Sequence, residues 1–429
     1  MPRFAIGNGT RPPSHAKRSC DIPRQCEVTP VHAGRVLTIN TGSSSLKVAL
    51  YDCAESESLI LTANAERIGM PNGAVRIFKA SGAPAITLSG DLRDHRSALA
   101  MVFTWLAQHN FDQPRAVVGH RVVFGGPKFR AAAVISPALC AALRELVPLD
   151  PEHLPQALDA MEFVREHESK VLQVACFDTA FHRDLPAVAQ KYALPPKYFA
   201  DGILRYGFHG LSYQFIVHTL RKLDGVLAEG RVIVAHLGNG ASMAAIHAGR
   251  CIDTSMGFTP DSGLVMGTRA GDIDPGALLQ VLALNAMDPL AVKVLINQHS
   301  GLLGVSGSSA DMQVLLAREA SDAMAAEAIA LFCYRAKKVL GAYVAALGGL
   351  DVLVFTGGIG EHAAPVRERI CAGLECLGIH IDRPRNQRGE AIISTTKSPV
   401  KVRVLPTDEG LMIAREAWEL CRAQGRSGR

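Results

Sequence analysis

Two stretches of the chain share one layout, and any fold must accommodate both. Val36 to Tyr51 places two apolar, partly β-branched runs around Gly42-Ser43-Ser44-Ser45 and Lys47. The gap is too short for a helix, so the stretch predicts a β-hairpin. Val232 to Ile246 repeats the pattern of apolar run, polar residue, glycine-led small loop and apolar run, with Asn40 aligned to His236, Gly42 to Gly238 and Leu50 to Ile246. So long a period excludes a stacked-repeat solenoid and predicts a duplicated domain. Loops of small and hydroxyl-bearing residues let backbone N–H groups and hydroxyls converge on an anion, and Lys47 adds a point charge. Each loop is therefore a candidate phosphate cradle, and two of them facing each other would clamp a nucleotide. An ordinary serine-rich turn is the alternative for the first loop alone. GxxxxGK[ST] occurs nowhere in the chain, which excludes the strand–loop–helix phosphate motif.

The rest of the 429-residue sequence reads as α/β. Apolar strands are expected at residues 116–118, 171–177, 351–355 and 402–405, a helix near 92–109, and a long helix from Ala323 to Leu347. That last segment is the best candidate for a membrane span, but Glu327, Arg335, Lys337 and Lys338 mark it as a helix with one buried face. Most of the formal net charge of +5 lies in residues 1–35, where six basic side chains face two acidic ones, so the body is near neutral and no nucleic-acid face is expected. Residues 1–34 lack an apolar signal region and any periodicity. They read as a disordered, dispensable basic leader, a transit peptide being the alternative. Ten cysteines without CxxC or zinc spacing predict a reduced, cytoplasmic compartment.

Several residues carry chemistry. Arg121 and Arg269 are expected in glycine-flanked loops, suited to bidentate capture of carboxylate or phosphate, although Arg269 could instead pair with Asp272 or Asp274. His209 lies in Gly207-Phe208-His209-Gly210, where a structural role is the alternative. Asp178 and Glu409 follow apolar strands and could hold Mg²⁺, directly or through water. Gly358-Ile359-Gly360-Glu361-His362-Ala363, with Asp382 further on, also satisfies a dinucleotide fingerprint, which alone would suggest a dehydrogenase. A glycine turn packed against adenosine explains it equally well.

Together these motifs resemble the acetate kinase family. The matching runs are Asn40 to Lys47, Gly119 to Val123, Phe177 to His182, Tyr206 to Gly210, His236 to Gly240, Met266 to Pro275 and Phe355 to Glu361. The resemblance implies two ribonuclease-H-like (actin-like ATPase) domains, one over residues 35–180 completed by a helix at 411–429, the other over residues 181–410, with nucleotide between them. It implies reversible transfer of phosphoryl from ATP to acetate, giving acetyl phosphate and ADP, with Mg²⁺ or in its place Mn²⁺, in a homodimer. By resemblance, Asn40, Arg121, Asp178, His209 and Arg269 are catalytic, with His209 and Arg269 stabilising the transition state. Arg121, Val123, Phe208, Pro260 and Arg269 hold the acyl substrate. Ser43, Ser45, Lys47, His236, Leu237, Gly238, Asn239, Gly240, Asp311, Met312, Gln313, Gly358, Ile359, Gly360 and Glu361 bind ATP, and Asn40, Asp178 and Glu409 serve the metal. The chain departs from the usual family pattern at Glu152 within Pro151-Glu152-His153, at Phe124, in Ser308 to Gln313, and in Thr407-Asp408-Glu409-Gly410. Propionate is the alternative substrate, because one methylene discriminates weakly. A non-catalytic nucleotide-binding relative is the alternative of another class.

Overall fold

Strands sort into two sheets in the computed structural model, which describes residues 34–54, 56–111, 115–284 and 287–427. The leader expected at residues 1–34 lies, apart from Gly34, outside the described residues. β1 (Arg35–Thr41), β2 (Ser45–Asp52), β3 (Ser58–Glu66), β4 (Ala74–Lys79), β5 (Ile86–Ser89), β6 (Val117–Val122), β7 (Ala133–Val134) and β8 (Leu172–Phe177) form the first, ordered β5-β4-β3-β2-β1-β6-β8-β7. β9 (Arg231–Leu237), β10 (Ala241–His247), β11 (Arg250–Thr254), β12 (Val352–Thr356) and β13 (Lys401–Val404) form the second, ordered β11-β10-β9-β12-β13. Buried and exposed side chains alternate in β4, as in a half-solvated antiparallel strand. β9 and β12 are buried nearly throughout, as in strands covered on both faces.

Five strands of each sheet repeat one arrangement. An antiparallel β3-β2-β1 meander is followed by parallel β6 and β8, and an antiparallel β11-β10-β9 meander by parallel β12 and β13. The registers agree too, Val36 pairing with Val117 and Val232 with Val352. The duplication thus extends from the hairpins to the whole sheet. The hairpins themselves differ by one residue: Thr41 pairs with Leu46, but Leu237 with Ala241. The expected match of Leu50 to Ile246 is corrected by that deletion. Leu50 faces Leu37 while Ala245 faces Ile233, so Leu50 corresponds to Ala245. By the same register Lys47, opposite Asn40, corresponds to Ser242, opposite His236.

The first predicted helix spans His95–Gln108. It starts later than the apolar spacing suggests because Asp94 caps it, accepting from Ser97 N at 2.7 Å while Ser97 Oγ accepts from Asp94 N at 3.1 Å. The long helix Ala323–Leu347 falls where expected, between an Asp322 cap and Gly348. The C-terminal helix Glu409–Ser427 packs on β1, β6 and β8. Its Ile413 fits over Gly119, where a Cβ would stand 2.6 Å from Ile413 Cγ2. The described cysteines are free thiols, and among the described residues no single helix is long and apolar enough to cross a membrane. Gly357–His362 is one short helix after β12, in a sheet whose other half is an antiparallel meander. That topology removes the dehydrogenase reading, which needs a parallel dinucleotide-binding sheet.

Candidate active site

The ends of β1, β6 and β8 meet the start of the C-terminal helix in a charged cluster. Arg121 sits within β6 itself, not in a loop beyond it as the flanking glycines suggest, and its side chain reaches three groups. It donates to Asp178 Oδ2 from Nη2 at 2.6 Å and from Nε at 3.1 Å, and to Asn40 Oδ1 at 3.2 Å. Its Nη1 also lies 3.4 Å from Glu409 Oε2, which accepts from Asn40 Nδ2 at 3.3 Å. Burial disfavours the Arg121 charge, but the carboxylates of Asp178 and Glu409 more than offset it and hold the guanidinium protonated. Burial pushes the Asp178 carboxyl up, against the pull of Arg121. Burial acts on Glu409 in the same sense, yet Arg121, His236 and Lys47 bring it below the usual carboxylate range. Lys47 and His236 belong to different hairpins, so one carboxylate feels both.

A second cluster forms where His209 precedes the helix Gly210–Asp224. His209 is left-handed, at φ +57°, a conformation costly for a side-chain-bearing residue and held by its surroundings. Gly210 is pressed so closely on the Asp178 carbonyl that a Cβ would lie 1.8 Å from its oxygen. The His209 ring stacks on His236 with centroids 4.3 Å apart. His209 Nδ1 is 2.9 Å from Ser242 Oγ, and Ser242 in turn bonds the Tyr213 hydroxyl. His236 Nδ1 is 2.8 Å from Ser212 Oγ, which also bonds Thr407. Burial lowers both imidazoles below the ordinary histidine value, and for His209 the neighbouring His236, Arg121 and Arg269 add to the effect.

His209 Nε2 and Arg269 converge on one point. A Cβ built on Gly240 would lie 3.3 Å from His209 Nε2 and 3.8 Å from Arg269 Nη1, so the bare glycine leaves a space lined by both. Arg269 donates to the Pro260 carbonyl at 3.2 Å, and its Nε lies 3.8 Å from Asp261 Oδ1. The carboxylate beside Arg269 is therefore Asp261, not Asp272 or Asp274, whose carboxylates accept from Gly263 N and Ala277 N. Asp261 also accepts from the buried Asn297 amide at 3.1 Å. Sequence reasoning missed Asp261 and Asn297, which belong to no matched run; only an acidic residue beside Pro260 could have hinted at the first. The Arg269 loop is tied to the second hairpin by Gly267 N donating to Asn239 O at 2.9 Å.

Val123, Phe124 and Phe208 are buried in one cluster with Tyr206, the Phe124 ring lying 4.8 Å from Tyr206 and 6.3 Å from Phe208. Pro260 is half-buried and linked to Arg269 through its carbonyl. Glu152 is half-buried beside His153, whose Nδ1 is 2.7 Å from Asp150 Oδ1. In the first hairpin, Ser43 and Lys47 are exposed, Gly42 N donates to Ser45 O at 2.8 Å, and the Gly42 carbonyl meets His95 Nε2 at 2.8 Å. In the second, Leu237 is wholly buried, Gly238 N donates to Gly240 O at 3.1 Å, and Asn239 is exposed. Elsewhere, Gly358 is exposed, Ile359 half-buried and Gly360 buried in their short helix, whose Glu361 carboxylate turns back to accept from Gly357 N at 2.9 Å. Asp311 caps the helix Met312–Arg318 through Gln313 N at 2.7 Å, Met312 is in the core, and Gln313 is exposed.

Two arginines, a neutral imidazole, two carboxylates and two glycine loops suit an anion-handling reaction that moves charge between oxygens. The family model described as Acetokinase family matches residues 35–415. An acetate kinase of Rhodopseudomonas palustris strain TIE-1 is 43% identical over 393 residues, covering 90% of this chain and 98% of its own. One from Clostridium botulinum strain Hall is 43% identical over 396 residues, covering 90% and 99%. The crystal structure of Porphyromonas gingivalis acetate kinase superposes with a TM-score of 0.83 at 36% identity, over 90% of this chain and 100% of that one. A propionate kinase structure from Francisella tularensis gives 0.85 at 34% identity, over 90% and 99%. With the duplicated sheet and the clustered motifs, these similarities lead to one conclusion: the chain belongs to the acetokinase family.

Proposed function

We propose that this chain is an acetate kinase, transferring the terminal phosphoryl group of ATP reversibly to acetate and giving acetyl phosphate and ADP. The observation that carries the reading is the convergence of His209 Nε2 and Arg269 on the space beside Gly240. Acetate is already ionised at neutral pH, so no general base is needed, and the task reduces to positioning and charge neutralisation. Arg121 and Arg269 hold the carboxylate, Val123, Phe208 and Pro260 enclose its methyl group, and His209 with Arg269 donates to the equatorial oxygens of the phosphoryl in transit. The hairpin groups Ser43, Ser45, Lys47 and His236 to Gly240 take the phosphates. Asp311 to Gln313 and Gly358 to Glu361 enclose the nucleoside, with Leu237, Met312 and Glu361 acting through main chain or packing.

Asp178 Oδ1 is buried with no hydrogen-bond partner among the described residues, and Glu409 faces it across Arg121. Among the described residues no cluster of three or more His, Cys, Asp or Glu forms a complete cage. Mg²⁺ keeps waters and phosphate oxygens and takes few protein ligands, so the unpartnered Asp178 oxygen, with Glu409 and Asn40 close by, fits it. Asn40, Asp178 and Glu409 would hold it, and when bound it would neutralise charge on the phosphates.

The domains are assigned as residues 35–180 with the C-terminal helix, and residues 181–410. The compartment is assigned as cytoplasmic, and the assembly as a homodimer. Supporting the dimer, the helices Pro275–Leu284 and Pro289–Gln298 expose Leu279, Leu284 and Leu290 at 66, 73 and 70%, large apolar side chains that association would cover. Purified protein with Mg²⁺ and ATP, assayed for ADP across acetate, propionate, butyrate and a sugar panel, should turn over acetate, with propionate next. Preference for propionate selects the alternative acyl group. Activity on a sugar alone, or on nothing, overturns the reading.

A further inference from the structure

The hydrogen-bond chain behind His209 leaves one consistent arrangement of protons. Tyr213 is wholly buried, and its hydroxyl has one partner among the described residues, Ser242 Oγ. Ser242 is also wholly buried and has two partners there, Tyr213 Oη and His209 Nδ1. Two hydroxyl protons and one ring proton must be distributed over these contacts. If His209 carried its proton on Nδ1, it would donate to Ser242, Ser242 would donate to Tyr213, and the Tyr213 proton would face no acceptor. A buried hydroxyl proton left unpaired disfavours that arrangement by about 5- to 150-fold. In the opposite arrangement Tyr213 donates to Ser242, Ser242 donates to His209 Nδ1, and each contact has one proton.

We propose that Ser242, held by Tyr213, is a positioning residue that fixes neutral His209 as the Nε2–H tautomer, aiming a donor, not a lone pair, into the space beside Gly240. The inference rests on the kinase reading for its consequence, but its first test does not. The phosphoryl oxygens are acceptors only, so an imidazole presenting a bare Nε2 would repel them, whereas Nε2–H donates. Burial keeps the ring neutral and the tyrosine protonated, so the tautomer, and not a positive charge, decides what the cleft sees. The device needs no carboxylate to orient the imidazole, and among the described residues none bonds it.

The test is nitrogen-15 NMR of the full chain labelled in histidine, read on wild type, Tyr213→Phe and Ser242→Ala, alongside steady-state kinetics. Wild type should show His209 with its proton on Nε2. Ser242→Ala, which removes the hydroxyl that donates to Nδ1, should move the population toward the Nδ1–H form, and its melting temperature separates this from misfolding. In that variant kcat should fall about tenfold while KM for ATP changes less than twofold. Tyr213→Phe leaves Ser242 able to donate to Nδ1 and should keep the Nε2–H form. A wild-type spectrum dominated by Nδ1–H, or a Ser242→Ala spectrum with the tautomer unmoved, overturns the proposal. Should the tautomer shift as expected but the protein phosphorylate no carboxylate, the relay stands and the kinase reading falls.

Discussion

Arg121 and Arg269 look alike in sequence but are held differently. Arg121 is enclosed by Asp178, Asn40 and Glu409, so its removal leaves buried carboxylates without their cation. Arg269 is half-buried, with a backbone carbonyl and a carboxylate at longer range. Arg121→Ala and Arg269→Ala should each lower kcat at least about a hundredfold. Only the first should also lower the melting temperature, by several degrees, because breaking a buried ionic cluster costs about 3 kcal/mol or more. Kinetics and thermal denaturation of the pair check this, and near-wild-type rates in both would refute the assignment. That the arginines, the histidine and both carboxylates form a group was legible because glycines, apolar strands and matched runs frame them, and the structure does bring them together. Asp261, Asn297, Tyr213 and Ser242 were not, since their importance lies in which atom they touch, and hydrogen-bond partners far apart in the chain leave no spacing to read.

At the scale of elements, the helix that starts at His209 is fastened at its far end. Asp224 accepts from Arg403 at 2.6 and 2.7 Å and from Lys401 at 2.8 Å, tying that helix to β13. Burial raises the Asp224 carboxyl, but the two cations outweigh it and leave the group below its ordinary value. A depressed folded-state pKa contributes stability that is present above the unfolded value, near 4, and is lost as pH falls through the folded one. Asp224→Asn should therefore cost about 3 kcal/mol at neutral pH, and the difference from wild type should shrink as pH drops below 4. Denaturant titrations at pH 7 and pH 3.5 measure it, and a gap that stays constant would mean the carboxylate is not the source. Element boundaries were less legible than element types. The helix at His95 starts where Asp94 caps it, and Arg121 belongs to a strand because β6 is covered on both sides, a fact of tertiary packing.

At the scale of the molecule, duplication was the most legible property, because two hairpins of one layout constrain everything between them. Its detail was hidden: the one-residue deletion in the second loop puts Ser242 where the first copy has Lys47, so one half presents a charge and the other steers a ring. The exposed leucines predict an assembly. Leu279→Glu combined with Leu290→Glu should convert a dimer to a monomer by light scattering, and a wild-type monomer, or a variant that stays dimeric, would show that another face or none is used. The C-terminal helix has a consequence of its own. Because it covers β1, β6 and β8, and because its first residue is Glu409, the first sheet lacks one cover until this distant segment docks. The charge cluster is therefore unfinished until a residue 369 positions beyond Asn40 closes it.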